Sequence, residues 1–153
     1  MRKLSTLPIG SVSHGTLRDE DLIPEFLDLA NSLRLSRAHR ATVREIARDS
    51  TRENPDYWES GDASEDCDAL IDLLNHYTPA LCYFGSHPGD GADFGVWLSE
   101  DWETADLARI AAGDPFPRVS ETTAEYLAVV SDHGNVTLYR PAGRRWVECW
   151  SVV

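Results

Sequence analysis

The C-terminal third of the chain carries the pattern that most limits the fold. Two apolar runs, 126–131 and 136–140, flank the turn sequence DHGN at 132–135, and this arrangement is typical of a β-hairpin. A second turn, PAG at 141–143, leads into a final strand over 145–153. The sequence therefore predicts a three-stranded antiparallel meander at this end of the chain.

Upstream of this meander, several segments show the periodicity of helices instead. Four segments are predicted as helices, with bounds of 19–34, 37–50, 62–77 and 99–111. Because Pro24 fits only in a first turn, the regular part of the first helix is expected to begin near Ile23. Ser36 is the predicted cap of the second helix, and Asp62 with Glu65 has capping-box spacing at the start of the third.

Helices followed by strands predict an α+β fold. We expect the N-terminal helices to pack on one face of a C-terminal antiparallel sheet of about five strands, which ends in the meander. The other two strands are the apolar runs at 80–84 and 94–98. A chain of 153 residues fits a single domain over 1–153, in which the polar stretch 51–61 is expected to be a flexible loop.

Charge is distributed very unevenly along the chain. The net charge is −12, and the acidic segment, 53–108, holds 14 acidic residues and no Lys or Arg. Upstream lies the arginine stripe, which consists of Arg37, Arg40, Arg44 and Arg48 on one face of the second helix. We expect this stripe to pair with the acidic segment, and contact with phosphate groups is the alternative. The net charge argues against binding of bare nucleic acid.

The acidic segment is also a candidate for partner binding, because closely spaced carboxylates attract basic protein surfaces. Exposed aromatic side chains, Tyr57 among them, are candidate anchors of such an interface. The predicted partner-binding residues are Asp62, Glu65, Asp66, Asp68, Asp72, Glu100, Asp101, Glu103, Asp106, Trp58 and Trp102. A solvated acidic face that only maintains solubility is the alternative interpretation.

The loop 85–95 is the best candidate for a small-ligand site. His87, Asp90 and Asp93 follow one another at intervals of three residues, and oxygen-rich loops of this kind hold Ca²⁺ or Mg²⁺. Glycines such as Gly95 let a ligand approach the backbone closely. The favoured interpretation is a structural wide hairpin loop that holds no ligand, in a protein without a cofactor, and a bound divalent cation is the alternative.

The chain shows no signature of a specific enzyme class, since it has neither a Gly-x-Ser-x-Gly elbow nor a His-Glu-x-x-His motif. Its three cysteines, Cys67, Cys82 and Cys149, are too widely spaced for a disulfide framework, and we interpret the first two as small core residues. The basic start lacks the apolar segment of a secretory signal, and no apolar run is long enough to cross a membrane. These features predict a cytoplasmic protein.

Three stretches of the chain are similar to a group of phage proteins: YFGSHPGDGADFG at 83–95, DHGNVTLY at 132–139 and LPIGSVSHGT at 7–16. They resemble small acidic accessory proteins of bacteriophages and mobile elements of GC-rich bacteria, a group with no assigned activity. The resemblance implies a phage-encoded, non-enzymatic protein in the cytoplasm of the host cell. It also implies action on host machinery or host defence.

Together these patterns predict an interaction protein that binds a basic, nucleic-acid-handling host protein. It would inhibit or modulate that protein as an anti-defence factor or a nucleic-acid mimic. A small metal-dependent enzyme or ligand binder centred on the loop 85–95 is the alternative function. No membrane contact is expected, and formation of a homodimer is left open.

Overall fold

Helices and strands segregate along the chain in the structure, a computed structural model that describes residues 3–51 and 55–151. The described elements are β1 (Gly10–His14), α1 (Asp19–Ser32), α2 (Arg37–Thr51), α3 (Pro55–Glu59), α4 (Gly61–Asn75), β2 (Cys82–His87), β3 (Asp90–Leu98), β4 (Leu107–Ala111), β5 (Tyr126–Val130), β6 (Val136–Ala142) and β7 (Arg145–Ser151). This order confirms the predicted α+β fold. The contacts divide the chain into two compact units, Met1–Trp97 and Leu98–Val153.

The core of the first unit lies between its helices and a small sheet. α1 packs against α2 and α4, and α4 packs against β2. The ring of Phe26 on α1 lies 5.1 Å from that of Phe84 on β2 and 5.6 Å from that of Phe94 on β3. α2 contributes Val43 and Ile46 to the same core. The apolar faces predicted from the helical periodicity therefore meet in one cluster.

The first unit contains its own sheet, in the order β1-β3-β2. Sequence periodicity did not predict β1, which pairs antiparallel with β3. The two runs at 80–84 and 94–98 were expected to extend the C-terminal sheet, and this expectation is wrong because they pair here. The predicted wide loop between them is also wrong. β2 and β3 extend towards each other until only Pro88 and Gly89 separate them.

The second unit is built on a sheet in the order β4-β5-β6-β7. Antiparallel pairing of β5 with β6 and of β6 with β7 confirms the predicted meander. The two turns use Gly134 at φ +82° and Gly143 at φ +65°, values that glycine adopts without strain. The predicted helix 99–111 is wrong. It is replaced by one 3₁₀ turn, Glu100–Glu103, and by β4, which pairs in parallel with β5.

The start of α1 differs from the prediction, whereas the start of α2 agrees with it. α1 already begins at Asp19 and contains Pro24 in its interior, because the Arg18 carbonyl accepts the N–H groups of Asp21 and Leu22 and starts the helix upstream of the proline. α2 is confirmed, and the hydroxyl of its cap Ser36 accepts the N–H of the third helical residue.

The stretch 51–61 was predicted to be a loop, and that assignment is wrong for 55–59, where α3 forms; residues 52–54 lie outside the described chain. α3 forms because Tyr57 is buried in the core of the first unit. α4 is capped by the Ser60 hydroxyl rather than by Asp62. Within the described residues, no helix is long and apolar enough to cross a membrane.

Candidate interaction surfaces

The exposed side of α4 carries a row of four carboxylates. This acidic face of α4 consists of Asp62, Glu65, Asp68 and Asp72, all of which are exposed. They lie within an arc of about 120° and extend over about 15 Å of the helix axis. The opposite side of the helix is buried, as its apolar periodicity predicts. Four of the predicted partner-binding residues therefore share one solvent-facing surface.

Asp66 does not belong to this face, because its carboxylate is used inside the fold. The hydroxyl of Tyr57 donates a hydrogen bond to Oδ2 of Asp66 at 2.8 Å. Burial, with a further contribution from this hydrogen bond, raises the pKa of Tyr57 well above its usual range. The expectation that Tyr57 is an exposed anchor is wrong, since only 4% of it is accessible.

Trp58 remains partly accessible beside the hydrogen-bonded pair of Tyr57 and Asp66. Its ring packs edge-on against that of Tyr57, with 4.8 Å between the ring centres, and one side contacts the core. α3, which carries it, packs against α4. Trp58 is therefore an amphipathic side chain on the helix that packs against α4, which carries the acidic face.

The second unit holds the other predicted acidic residues around its first 3₁₀ turn. Glu100, Asp101, Glu103 and Asp106 are all exposed there. Trp102 is half-buried, because the guanidinium of Arg109 lies 5.0 Å from the centre of its ring. Arg109 also donates a hydrogen bond to the Glu103 carbonyl at 2.7 Å. Trp102 is thus partly covered by a cation, which makes it a weaker anchor than the sequence predicts.

The arginine stripe does not pair as expected. In the described parts of the chain, Arg37, Arg40 and Arg44 form no ion pair. Arg48 pairs with Glu45 and Asp49 of its own helix, and this contact raises the pKa of Arg48 further, first through its hydrogen bond to Asp49. The junction of the stripe with the acidic segment, Arg52 and Glu53, lies outside the described residues.

The three candidate metal ligands each have a separate local role. Nδ1 of His87 accepts the N–H of Gly89, and Oδ1 of Asp90 accepts the N–H of Ala92. Oδ1 of Asp93 accepts the hydroxyl of Ser11 on β1. Over 3–51 and 55–151 there is no group of three or more His, Cys, Asp or Glu side chains that could hold a metal ion. The structure thus explains these residues as parts of the β2–β3 hairpin and its pairing with β1.

Cys67 lies in the core of the first unit, as the sequence predicts, with 4% of the residue accessible. Burial, followed by the nearby carboxylate of Asp19, raises the pKa of its thiol to about 12. Since the thiolate is the reactive form of cysteine, this raised pKa disfavours a nucleophilic role for Cys67 at neutral pH. Cys82 packs against the same core.

The structure contains a cluster of aromatic and imidazole rings that the sequence does not predict. Nδ1 of His39 on α2 lies 2.9 Å from the hydroxyl of Tyr77, which also accepts the N–H of Ser36. The ring of His76 lies 5.0 Å from that of His39. Because these residues are far apart in sequence, no local pattern could have brought them together. The cluster joins the start of α2 to the segment that follows α4.

Comparison of the chain with protein-family models, with curated proteins and with solved structures finds no match.

Proposed function

We propose that the protein is a non-enzymatic interaction protein that binds a basic, nucleic-acid-handling host protein through the acidic face of α4. The observation that carries this proposal is the exposure of four carboxylates on one helix face. Among the described residues, none of the four forms an ion pair. The face is therefore available to cations from outside the molecule.

Electrostatics favours such a partner. Carboxylates at i, i+3 and i, i+4 repel each other by about 0.2–0.5 kcal/mol per pair, so the free helix is slightly destabilised by its own charges. A basic surface that docks on the face removes this repulsion and gains attraction at the same time. Complementary charge also accelerates the encounter of the two proteins and makes it sensitive to salt.

Trp58 supplies the apolar part of the proposed interface. Protein interfaces concentrate their binding energy in a few aromatic or arginine anchors surrounded by polar residues. Trp58 is partly accessible on α3, which packs against α4. This combination of a ring and a carboxylate row suits a protein partner better than a free metal ion.

The resemblance of the chain to phage accessory proteins supports a host protein as the partner. A carboxylate row of about 15 Å resembles in sign and extent a short stretch of nucleic-acid backbone. The protein would then occupy the nucleic-acid site of its partner and inhibit it by mimicry. The acidic turn of the second unit is a separate candidate surface for the same kind of partner.

The proposal is tested by affinity capture from a bacterial host lysate, at low and at moderate salt, with the tagged full-length protein. We expect Asp68→Lys with Asp72→Lys to reduce recovery of a basic protein about tenfold, which corresponds to ~1.4 kcal/mol. The matched control is Glu25→Lys with Asp28→Lys. These two residues are also exposed on a helix of the first unit, and their replacement changes the net charge equally.

Equal losses in the two variants would show that net charge rather than the acidic face of α4 governs capture. Recovery that is unaffected by salt and by both variants would contradict the proposal outright. Glu100→Lys with Glu103→Lys reports on the second unit in the same assay, and an effect confined to this variant would move the interface there.

A further inference from the structure

The N-terminal half of α2 is cationic in a protein that is otherwise strongly acidic. Between Asp28 and Glu45 the chain carries four arginines and not one carboxylate. Three of them, Arg37, Arg40 and Arg44, are exposed and lie within an arc of about 60° on α2. The buried side of the helix carries Val43 and Ile46. The three guanidinium groups therefore project from one face into solvent.

Within residues 3–51 and 55–151, no carboxylate neutralises this charge. Arg48, at the other end of the stripe, is neutralised by Glu45 and Asp49. Arg40 donates a hydrogen bond to the Leu35 carbonyl at 2.9 Å, a contact that orients the side chain but does not cancel its charge. Arg37 and Arg44 have no carboxylate partner among the described residues. Internal pairing, which the sequence favours, therefore does not account for this face.

We propose that Arg37, Arg40 and Arg44 bind the phosphate backbone of nucleic acid. The planar guanidinium group matches two phosphate oxygens at once and stays charged at every physiological pH. Arg37 and Arg44 are about 10 Å apart along the helix axis, and successive phosphates of one strand rise by about 3.4 Å. Long arginine side chains can thus reach several phosphates of one strand. This surface is distinct from the acidic face of α4 and does not depend on the function proposed for it.

The composition of the face favours phosphate over an acidic protein. The large apolar side chains that are exposed in the described chain are Leu4, Leu17, Phe116 and Val147, and none of them lies on α2. Arginine can anchor a protein interface, but the core of such an interface also buries apolar or aromatic side chains, whereas contact with a phosphate backbone needs only cations. A face of arginine and alanine meets the second requirement and not the first.

The net charge of −12 weakens such binding without preventing it. At physiological ionic strength the Debye length is about 8 Å, so exposed charges farther away than this are largely screened. The local arginines then dominate the interaction with a phosphate that touches α2. At lower salt the distant carboxylates oppose them more strongly.

The test is fluorescence anisotropy of the full-length protein with labelled duplex DNA and with labelled single-stranded RNA, between about 50 and 200 mM salt. We expect three phosphate contacts on duplex DNA. At the upper end of this range, the logarithm of the association constant should then fall with the logarithm of the salt concentration with a slope of about −2.7. Arg37→Gln with Arg44→Gln should weaken binding about tenfold and bring the slope to about −0.9, the value for one remaining contact.

Arg144→Gln with Arg145→Gln is the matched control, because both residues are exposed in the second unit and their loss changes the net charge equally. Equal weakening by the control would overturn the proposal, as would the absence of binding to either nucleic acid. Poly-glutamate that binds as tightly as DNA would assign the face to an acidic protein instead. Asp68→Lys with Asp72→Lys should leave this binding at least as strong, which separates it from the function proposed above. Circular dichroism of each variant verifies the fold.

Discussion

At the scale of single residues, the structure gives a different reason for a glycine in the segment 85–95 than the sequence does. The sequence suggests that such a glycine allows a ligand to approach. Gly95 is instead buried where β1 pairs with β3, and a Cβ placed there would collide with the carbonyl oxygen of Gly10 and lie 2.8 Å from the ring of Trp97. The close approach is between two strands of one sheet. The glycine in the sequence indicates that another group approaches the backbone closely at this position. It does not show whether that group is a ligand or another strand.

Replacement of this glycine measures that constraint. We expect Gly95→Ala to lower the free energy of unfolding by about 1–3 kcal/mol, because β1 must move away from β3 to admit the methyl group. Gly91→Ala is the matched control on the same strand, since a Cβ at Gly91 meets nothing within 4 Å. Its effect should be small or stabilising. Urea unfolding of both variants provides the measurement, and equal stabilities would contradict the prediction.

At the scale of elements, one side chain ties α4 to the edge of the first sheet. The amide of Asn75 accepts the N–H of Phe84 at 2.9 Å and donates to its carbonyl at 2.8 Å. The same amide donates to the Ile71 carbonyl at 3.0 Å. Phe84 is buried, and β2 is an edge strand of the first sheet, so Asn75 supplies the partners that another strand would provide.

Removal of this amide should therefore lower the free energy of unfolding more than removal of a surface asparagine does. Asn75→Ala leaves the N–H and the carbonyl of Phe84 without these partners, and we expect a loss of about 2–4 kcal/mol in the free energy of unfolding. Asn31→Ala, at an exposed position on α1, is the control and should change stability by less than about 0.5 kcal/mol. A urea midpoint for Asn75→Ala that equals the control midpoint would show that these hydrogen bonds contribute little.

Elements with a strong local signal were predicted well, and those that depend on distant partners were not. α2 and the meander follow directly from periodicity and from turn residues. The segment Leu107–Ala111 has a composition that suits a helix, yet it becomes β4 because β5 offers a parallel partner. The acidic face of α4 was predictable because helical spacing decides it. That Arg37, Arg40 and Arg44 have no ion-pair partner among the described residues was not predictable, because pairing depends on which side chains approach α2.

At the scale of the whole molecule, the contacts of the chain separate into two compact units, and the single domain expected over 1–153 stays a prediction. The hydrophobic core built around the helices draws all its buried residues from the first unit, between Leu7 and Val96. A cluster of this kind, with α1, α2 and α4 around it, contains what a small domain needs to fold independently.

The segment 1–97 expressed alone tests whether this unit is a domain. We expect it to unfold cooperatively in urea and to keep the circular dichroism of its helices, because its core residues all come from within the segment. Cys67 provides a second measurement. In the folded segment its buried thiol should react slowly with an alkylating reagent at about pH 8, and it should react quickly after unfolding in urea. If the segment lacks a cooperative transition and its Cys67 is alkylated rapidly without urea, residues beyond Trp97 are required for folding. A single domain over the whole chain predicts this outcome.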